Sequence, residues 1–144
     1  MKKEQIAESL FLNDFNCAQS VLSTFSNELG LDQEIALKIT TPFGGGIVNL
    51  GKTCGAVTGA LMAIGLKYGR STSDDLFAKE NTAQLSNEFI EKFSSLHGTI
   101  ECSNLLQCDI ATDKGKAHAI NNDLFNSLCP KYVKDAVLLL EEIL

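Results

Sequence analysis

Four of the five cysteines in this chain stand where helices are expected to begin, each in a different quarter of the 144 residues. Cys17 follows Asn16, Cys54 follows Thr53, Cys102 follows Glu101, and Cys129 precedes Pro130. The first turn of a helix carries unpaired N–H groups and the positive end of the helix dipole, and both favour an anion. A thiol placed there ionises more easily, and the thiolate is the form that binds metals and attacks disulfides. Four such positions in one short chain point to a shared sulfur centre. The fifth cysteine, Cys108, follows Cys102 closely in a loop before Asp109 and reads as an incidental thiol.

Three chemistries follow from that set. In the first, Cys17, Cys54, Cys102 and Cys129 converge as ligands of an iron–sulfur cluster or a metal ion, since four thiolates suit either. The intervening gaps of 36, 47 and 26 residues contain no C-x-x-C pair, so the site would have to be assembled by the fold. In the second, Cys54 is an attacking thiolate and another of the four resolves the mixed disulfide. No sequence feature selects that partner. In the third, the cysteines are small buried residues of a scaffold. No nucleophile–base–orienter set is visible, which leaves catalysis of a larger substrate without a candidate. His97 and His118 read as structural or exposed.

Composition narrows the class. A net charge of −6 and few basic residues argue against nucleic acid, which needs clustered Lys and Arg. No secretory leader is read at the N-terminus, and the uncharged run from Thr53 to Leu66 is too short to span a bilayer. The expectation is a cytoplasmic protein without membrane insertion, with an unidentified redox partner and surfaces that could support a homodimer.

The elements that must position the cysteines are helices. Periodicity is helical almost throughout, and no run alternates with period two. The spacing predicts helices over Lys3 to Leu12, from Cys17 towards a cap at Gly30, over Gln33 to Thr40, from Cys54 to Tyr68, from Ser71–Asp75 to Leu96, over Cys102 to Leu106, and from Cys129 onward. Asn16 and Gln19 form a capping box ahead of Cys17. Ile35 and Ile39 are expected to face inward, as are Leu85, Phe89, Phe93 and Leu96. The polar stretch from Asp109 to Asn122 carries no predicted helix. Gly55, Gly59 and Ala63 make a narrow face that marks a buried central helix, because exposed helical glycine costs about 1 kcal/mol against Ala. The expected fold is an all-α, single-domain bundle over residues 1–144, with six to seven helices and a glycine-rich loop before the central one.

That loop, Gly44-Gly45-Gly46 and onward to Gly51, can bring backbone N–H groups close to a ligand. Gly44, Gly45, Gly46 and Gly55 are the candidate cofactor-contacting residues. The stretch Gly46 to Thr53 reads G-I-V-N-L-G-K-T and matches the phosphate-loop spacing formally. No strand pattern precedes it, which a true phosphate loop requires.

Taken together, Asn16-Cys17-Ala18-Gln19, the three glycines, Cys54-Gly55-Ala56-Val57-Thr58-Gly59, Gly65 to Gly69, Cys102 to Leu106 and Cys129-Pro130-Lys131 occur in a familiar order. Over about residues 15 to 141 the chain resembles the C_GCAxxG_C_C family, described as redox-active on the strength of four characteristic cysteines. The resemblance implies that Cys17, Cys54, Cys102 and Cys129 are those four and leaves Cys108 outside the pattern. A related domain in some iron–sulfur-containing multihaem cytochromes implies a cluster by analogy. The chain has no C-x-x-C-H haem attachment site, so the haem does not carry over.

Overall fold

The structure is a computed structural model describing residues 1–144. Eight α-helices follow one another: α1 (Lys3–Leu12), α2 (Cys17–Ser26), α3 (Gln33–Thr40), α4 (Gly55–Tyr68), α5 (Leu76–His97), α6 (Cys102–Leu106), α7 (Asp113–Asn121) and α8 (Leu124–Ile143). A single 3₁₀ turn, Thr41–Phe43, leads from α3 into the glycine loop. The fold is all-α, as the periodicity predicts, and no strand is formed. No helix is long and apolar enough to cross a membrane.

α4 is the centre of the bundle. Ala56, Val57, Ala60, Ala63 and Ile64 are fully buried, so the helix is enclosed on nearly every side. Its glycines set how near α2 can come. A Cβ on Gly59 would lie 2.8 Å from the carbonyl oxygen of Ala18, and one on Gly55 would lie 2.9 Å from the Ala18 nitrogen. The two backbones therefore touch, with no side chain between them. Around this pair the core is filled by Val21, Leu22 and Phe25 of α2, Phe89 and Phe93 of α5, and Val133, Val137 and Leu140 of α8. Burying each of these large side chains contributes about 1.5–3 kcal/mol.

α2 begins as its sequence dictates. The Asn16 side chain accepts from the Gln19 N–H at 2.8 Å, and the Gln19 side chain accepts from the Asn16 N–H at 2.9 Å. The same two side chains then reach α3 and the 3₁₀ turn: Gln19 Nε2 donates to the Leu37 carbonyl at 2.9 Å and Asn16 Nδ2 to the Thr41 carbonyl at 3.1 Å. Ser20, Ser23 and Ser26 are buried on this helix, and each hydroxyl bonds a carbonyl one turn back. That removes the penalty of an unpaired buried donor.

Four expectations are corrected. The polar stretch contains a helix, α7, capped by Thr112 accepting from the Gly115 N–H at 2.9 Å; only Ala119 of it is buried, so its apolar signal is faint. Cys129 does not open the last helix. α8 starts five residues earlier at Leu124, after Asp123 in a left-handed conformation, and Pro130 lies inside it. Having no N–H, Pro130 leaves the Asn126 carbonyl without its helical donor. Ile35 and Ile39 are 49% and 48% exposed, and α3 turns Ala36 and Thr40 inward instead. Leu96, 59% exposed, falls outside the core stripe that Phe89 and Phe93 form.

Candidate thiol centre

The close approach of α2 and α4 brings their first residues together. Cys17 is the first residue of α2, and Cys54 caps α4. A Cβ on Gly55 would lie 3.1 Å from the Cys17 Cβ, so glycine there keeps the space beside Cys54 open to Cys17. Cys17 lies within electrostatic reach of both Cys54 and Cys129.

Cys102 reaches the same place through backbone rather than packing. Thr53 and Glu101 form an isolated antiparallel bridge. On either side of it the Cys54 N–H donates to the Ile100 carbonyl at 2.7 Å, and the Cys102 N–H donates to the Lys52 carbonyl at 2.6 Å. The Ser103 N–H continues the ladder to the Gly51 carbonyl at 3.1 Å. α8 contributes Cys129 from its second turn.

All four cysteines line one chamber of about 500 Å³, between the glycine loop and the start of α2, α4 and α6. Cys54, Cys102 and Cys129 are 4%, 8% and 7% exposed, so their sulfurs form its floor. Gly44, Gly45, Gly46 and Gly55 line it too. Cys108 does not; it is half-buried just past the end of α6, with its N–H bonded to the Ser103 carbonyl. No cysteine is in a disulfide. His118 is exposed on α7 and lies outside the chamber.

The glycine loop is left-handed over five consecutive residues. Gly45, Gly46, Ile47, Val48 and Asn49 have φ of 63°, 68°, 64°, 49° and 59°. Each non-glycine residue there costs about 1–2 kcal/mol. Long-reaching bonds hold the turn: Val48 N–H to the Pro42 carbonyl at 2.8 Å, Gly51 N–H to the Gly45 carbonyl at 3.0 Å, and Lys52 N–H to the Gly46 carbonyl at 2.9 Å. The N–H groups of Gly45 and Gly46 make no backbone hydrogen bond, which leaves two donors in the chamber wall. The formal phosphate-loop match falls within this turn, where no parallel strand leads in.

The thiols are not equivalent. Cys54 is held below the ordinary thiol range chiefly by the neighbouring Cys17 thiol, and the Ala56 and Val57 N–H groups at the start of α4 assist. Burial opposes this and is outweighed. Cys17 is pushed well above that range by the neighbouring Cys129 and Cys54 thiols, with burial adding to the effect. Cys102 is pushed up to about 12, chiefly by burial and then by the charge of Cys54 and Cys129. Of the pair, Cys54 is thus the more easily ionised and Cys17 the less.

For a metal or cluster, the donor chemistry is apt: four soft thiols share one chamber. Their present arrangement is not a preset ligand shell, since no group of three or more His, Cys, Asp or Glu side chains is placed to hold a metal ion.

The sequence does not single out Tyr132. It lines the chamber, and its hydroxyl donates to the Leu105 carbonyl at 3.0 Å. Its position three residues after Cys129 puts both on one helix face once that cysteine is placed within a helix. Behind it stands His97, edge-on at 4.9 Å between centroids, with Nε2 3.0 Å from the Asp135 carboxylate but not aligned for a hydrogen bond.

Residues 15–143 match the family model described as "Putative redox-active protein (C_GCAxxG_C_C)". The chain matches no curated protein and no solved structure. With that match spanning nearly the whole fold and all four chamber cysteines, the chain belongs to the C_GCAxxG_C_C redox-active family.

Proposed function

We propose that the protein is a thiol–disulfide redox protein in which Cys54 attacks and Cys17 resolves. The observation that carries this reading is the juxtaposition of Cys17 and Cys54 where the starts of α2 and α4 meet, with Gly55 between them leaving the space open. The Cys54 thiolate attacks one sulfur of a disulfide, R–S–S–R, and the S–S bond breaks as RS⁻ leaves and takes up a proton. Cys17 then loses its proton and attacks the Cys54 sulfur. The second RS⁻ departs, and a Cys17–Cys54 disulfide remains. Two electrons have passed from the cysteine pair to the substrate, and an external dithiol returns them. Cys129 opposes the ionisation of Cys17, so the resolving thiol keeps its proton until Cys54 has been taken up in the mixed disulfide.

The test is a thiol count with disulfide mapping. Reduced protein treated with diamide should fall from five free thiols to three, with a single Cys17–Cys54 bridge in the digest. Retention of five thiols, or a bridge between other cysteines, overturns this assignment.

A second reading rests on the convergence of all four cysteines on one chamber. Cys17, Cys54, Cys102 and Cys129 would together hold an iron–sulfur cluster or a metal ion, and the protein would carry electrons or handle the metal. A bound cation of this kind supplies the charge that deprotonates thiols such as Cys102. Anaerobic purification with iron and acid-labile sulfide analysis checks it. Iron and sulfide that disappear in the Cys102→Ser and Cys129→Ser variants would favour this reading over the dithiol pair.

A further inference from the structure

The chamber restricts what the Cys54 thiolate can meet. Its floor sulfurs are under a tenth exposed, and Phe11, Phe15 and Phe125 are among its walls. A disulfide on the surface of a folded protein cannot bring its sulfurs down to such a floor, whereas a slender molecule can enter a space of about 500 Å³.

Charge restricts it further. Apart from the cysteines and Tyr132, the only titratable side chain lining the chamber is Asp14, and no Lys, Arg or His lines it. The chain as a whole carries −6. A carboxylate-bearing disulfide would be drawn into a negative, largely apolar space beside a thiolate with no cation to pair it, which is costly. An amide-bearing one fits better: the unbonded N–H groups of Gly45 and Gly46 can receive a carbonyl.

Resting on the dithiol reading, we infer that the substrate is a slender low-molecular-weight disulfide without carboxylates, neutral or cationic. Its S–S bond is cleaved by Cys54 with the balance given above, the two electrons being restored by a dithiol reductant.

Four probes decide it, each mixed with fully reduced protein while Cys17–Cys54 disulfide formation is followed by quenched alkylation. Pantethine is neutral and carries amides, cystamine is cationic, oxidised glutathione is anionic, and insulin is a protein disulfide. Pantethine and cystamine should react at least about tenfold faster than the other two, a difference of about 1.4 kcal/mol in barrier. The Asp14→Asn variant should lower the ratio of the cystamine to the pantethine rate. Oxidised glutathione or insulin reacting as fast as pantethine overturns the substrate assignment, even where diamide forms the bridge. Failure of diamide to form a Cys17–Cys54 bridge removes the dithiol reading and this inference with it. Retention of the wild-type cystamine-to-pantethine ratio in Asp14→Asn overturns the charge argument.

Discussion

Cys17 stands beside Cys54, and the two thiols are shifted in opposite directions, Cys54 towards easier ionisation and Cys17 away from it. The two are neighbours because α2 and α4 meet backbone to backbone at Ala18, Gly55 and Gly59. Cys17→Ala removes the thiol that lowers Cys54. A hydrogen bond worth about 1 kcal/mol corresponds to about fivefold in thiolate population, so alkylation of Cys54 at neutral pH should slow by about that factor. Iodoacetamide kinetics read by mass spectrometry check it. An unchanged rate would mean that the α4 N–H groups alone set the reactivity of Cys54.

The pH profile carries a sign of its own. Cys54 is depressed, so its reactivity should persist below the ordinary thiol range and fall only as pH drops through its lowered value. Cys102, pushed up to about 12, should stay essentially unlabelled at pH 8 in folded protein. Urea should abolish the difference between the two. Equal labelling of Cys54 and Cys102 without denaturant would contradict the chamber's geometry.

Glycine substitutions separate packing from propensity. A Cβ on Gly46 would lie 2.6 Å from the Cys102 Cβ and 2.6 Å from the Lys52 nitrogen, at a φ of +68°. Gly46→Ala should therefore destabilise by about 1–3 kcal/mol. Gly65, inside α4 with nothing within 4 Å of its added Cβ, should do the reverse on replacement by Ala and stabilise by about 0.5–1 kcal/mol. Urea midpoints measure both, and a neutral Gly46→Ala would show that the loop is not held as tightly as its bonds imply.

His97 gives a second pH dependence. Burial holds it below its ordinary 6.5, against the opposing pull of Asp135, while Lys131 lowers it further. A folded state that resists protonation loses stability as pH falls below 6.5 towards the lowered value, and has it in full above 6.5. Asp135→Asn takes away the carboxylate that favours the imidazolium. NMR titration of the His97 ring should then move lower still; upward movement would show that Asp135 is not its partner.

Much of this fold is legible in the residues. The Asn16–Gln19 box fixes where α2 starts, and the glycine face of α4 announces a close neighbour. Which neighbour it meets is not legible, because a small-residue face admits any helix, so the Cys17–Cys54 pairing stays hidden. Pro130 misleads in the other direction. Proline favours the first helical position, yet here it sits within the second turn of α8, and the real start after Asp123 carries no side-chain cap. Ile35 and Ile39 show the limit of periodicity on a short helix: a stripe identifies an apolar face without saying that anything covers it. The convergence of four distant cysteines has no local signal at all, since it is made by tertiary contacts.

The ladder joining Lys52–Cys54 to Ile100–Cys102 consists of main-chain groups alone. The exposed Lys52 side chain along it is consequently free to change without moving either sulfur. So is the length of the exposed connection between α4 and α5, through which a lineage could gain or lose residues. Cysteines nearly fifty positions apart can thus stay in register while the exposed connection between them drifts.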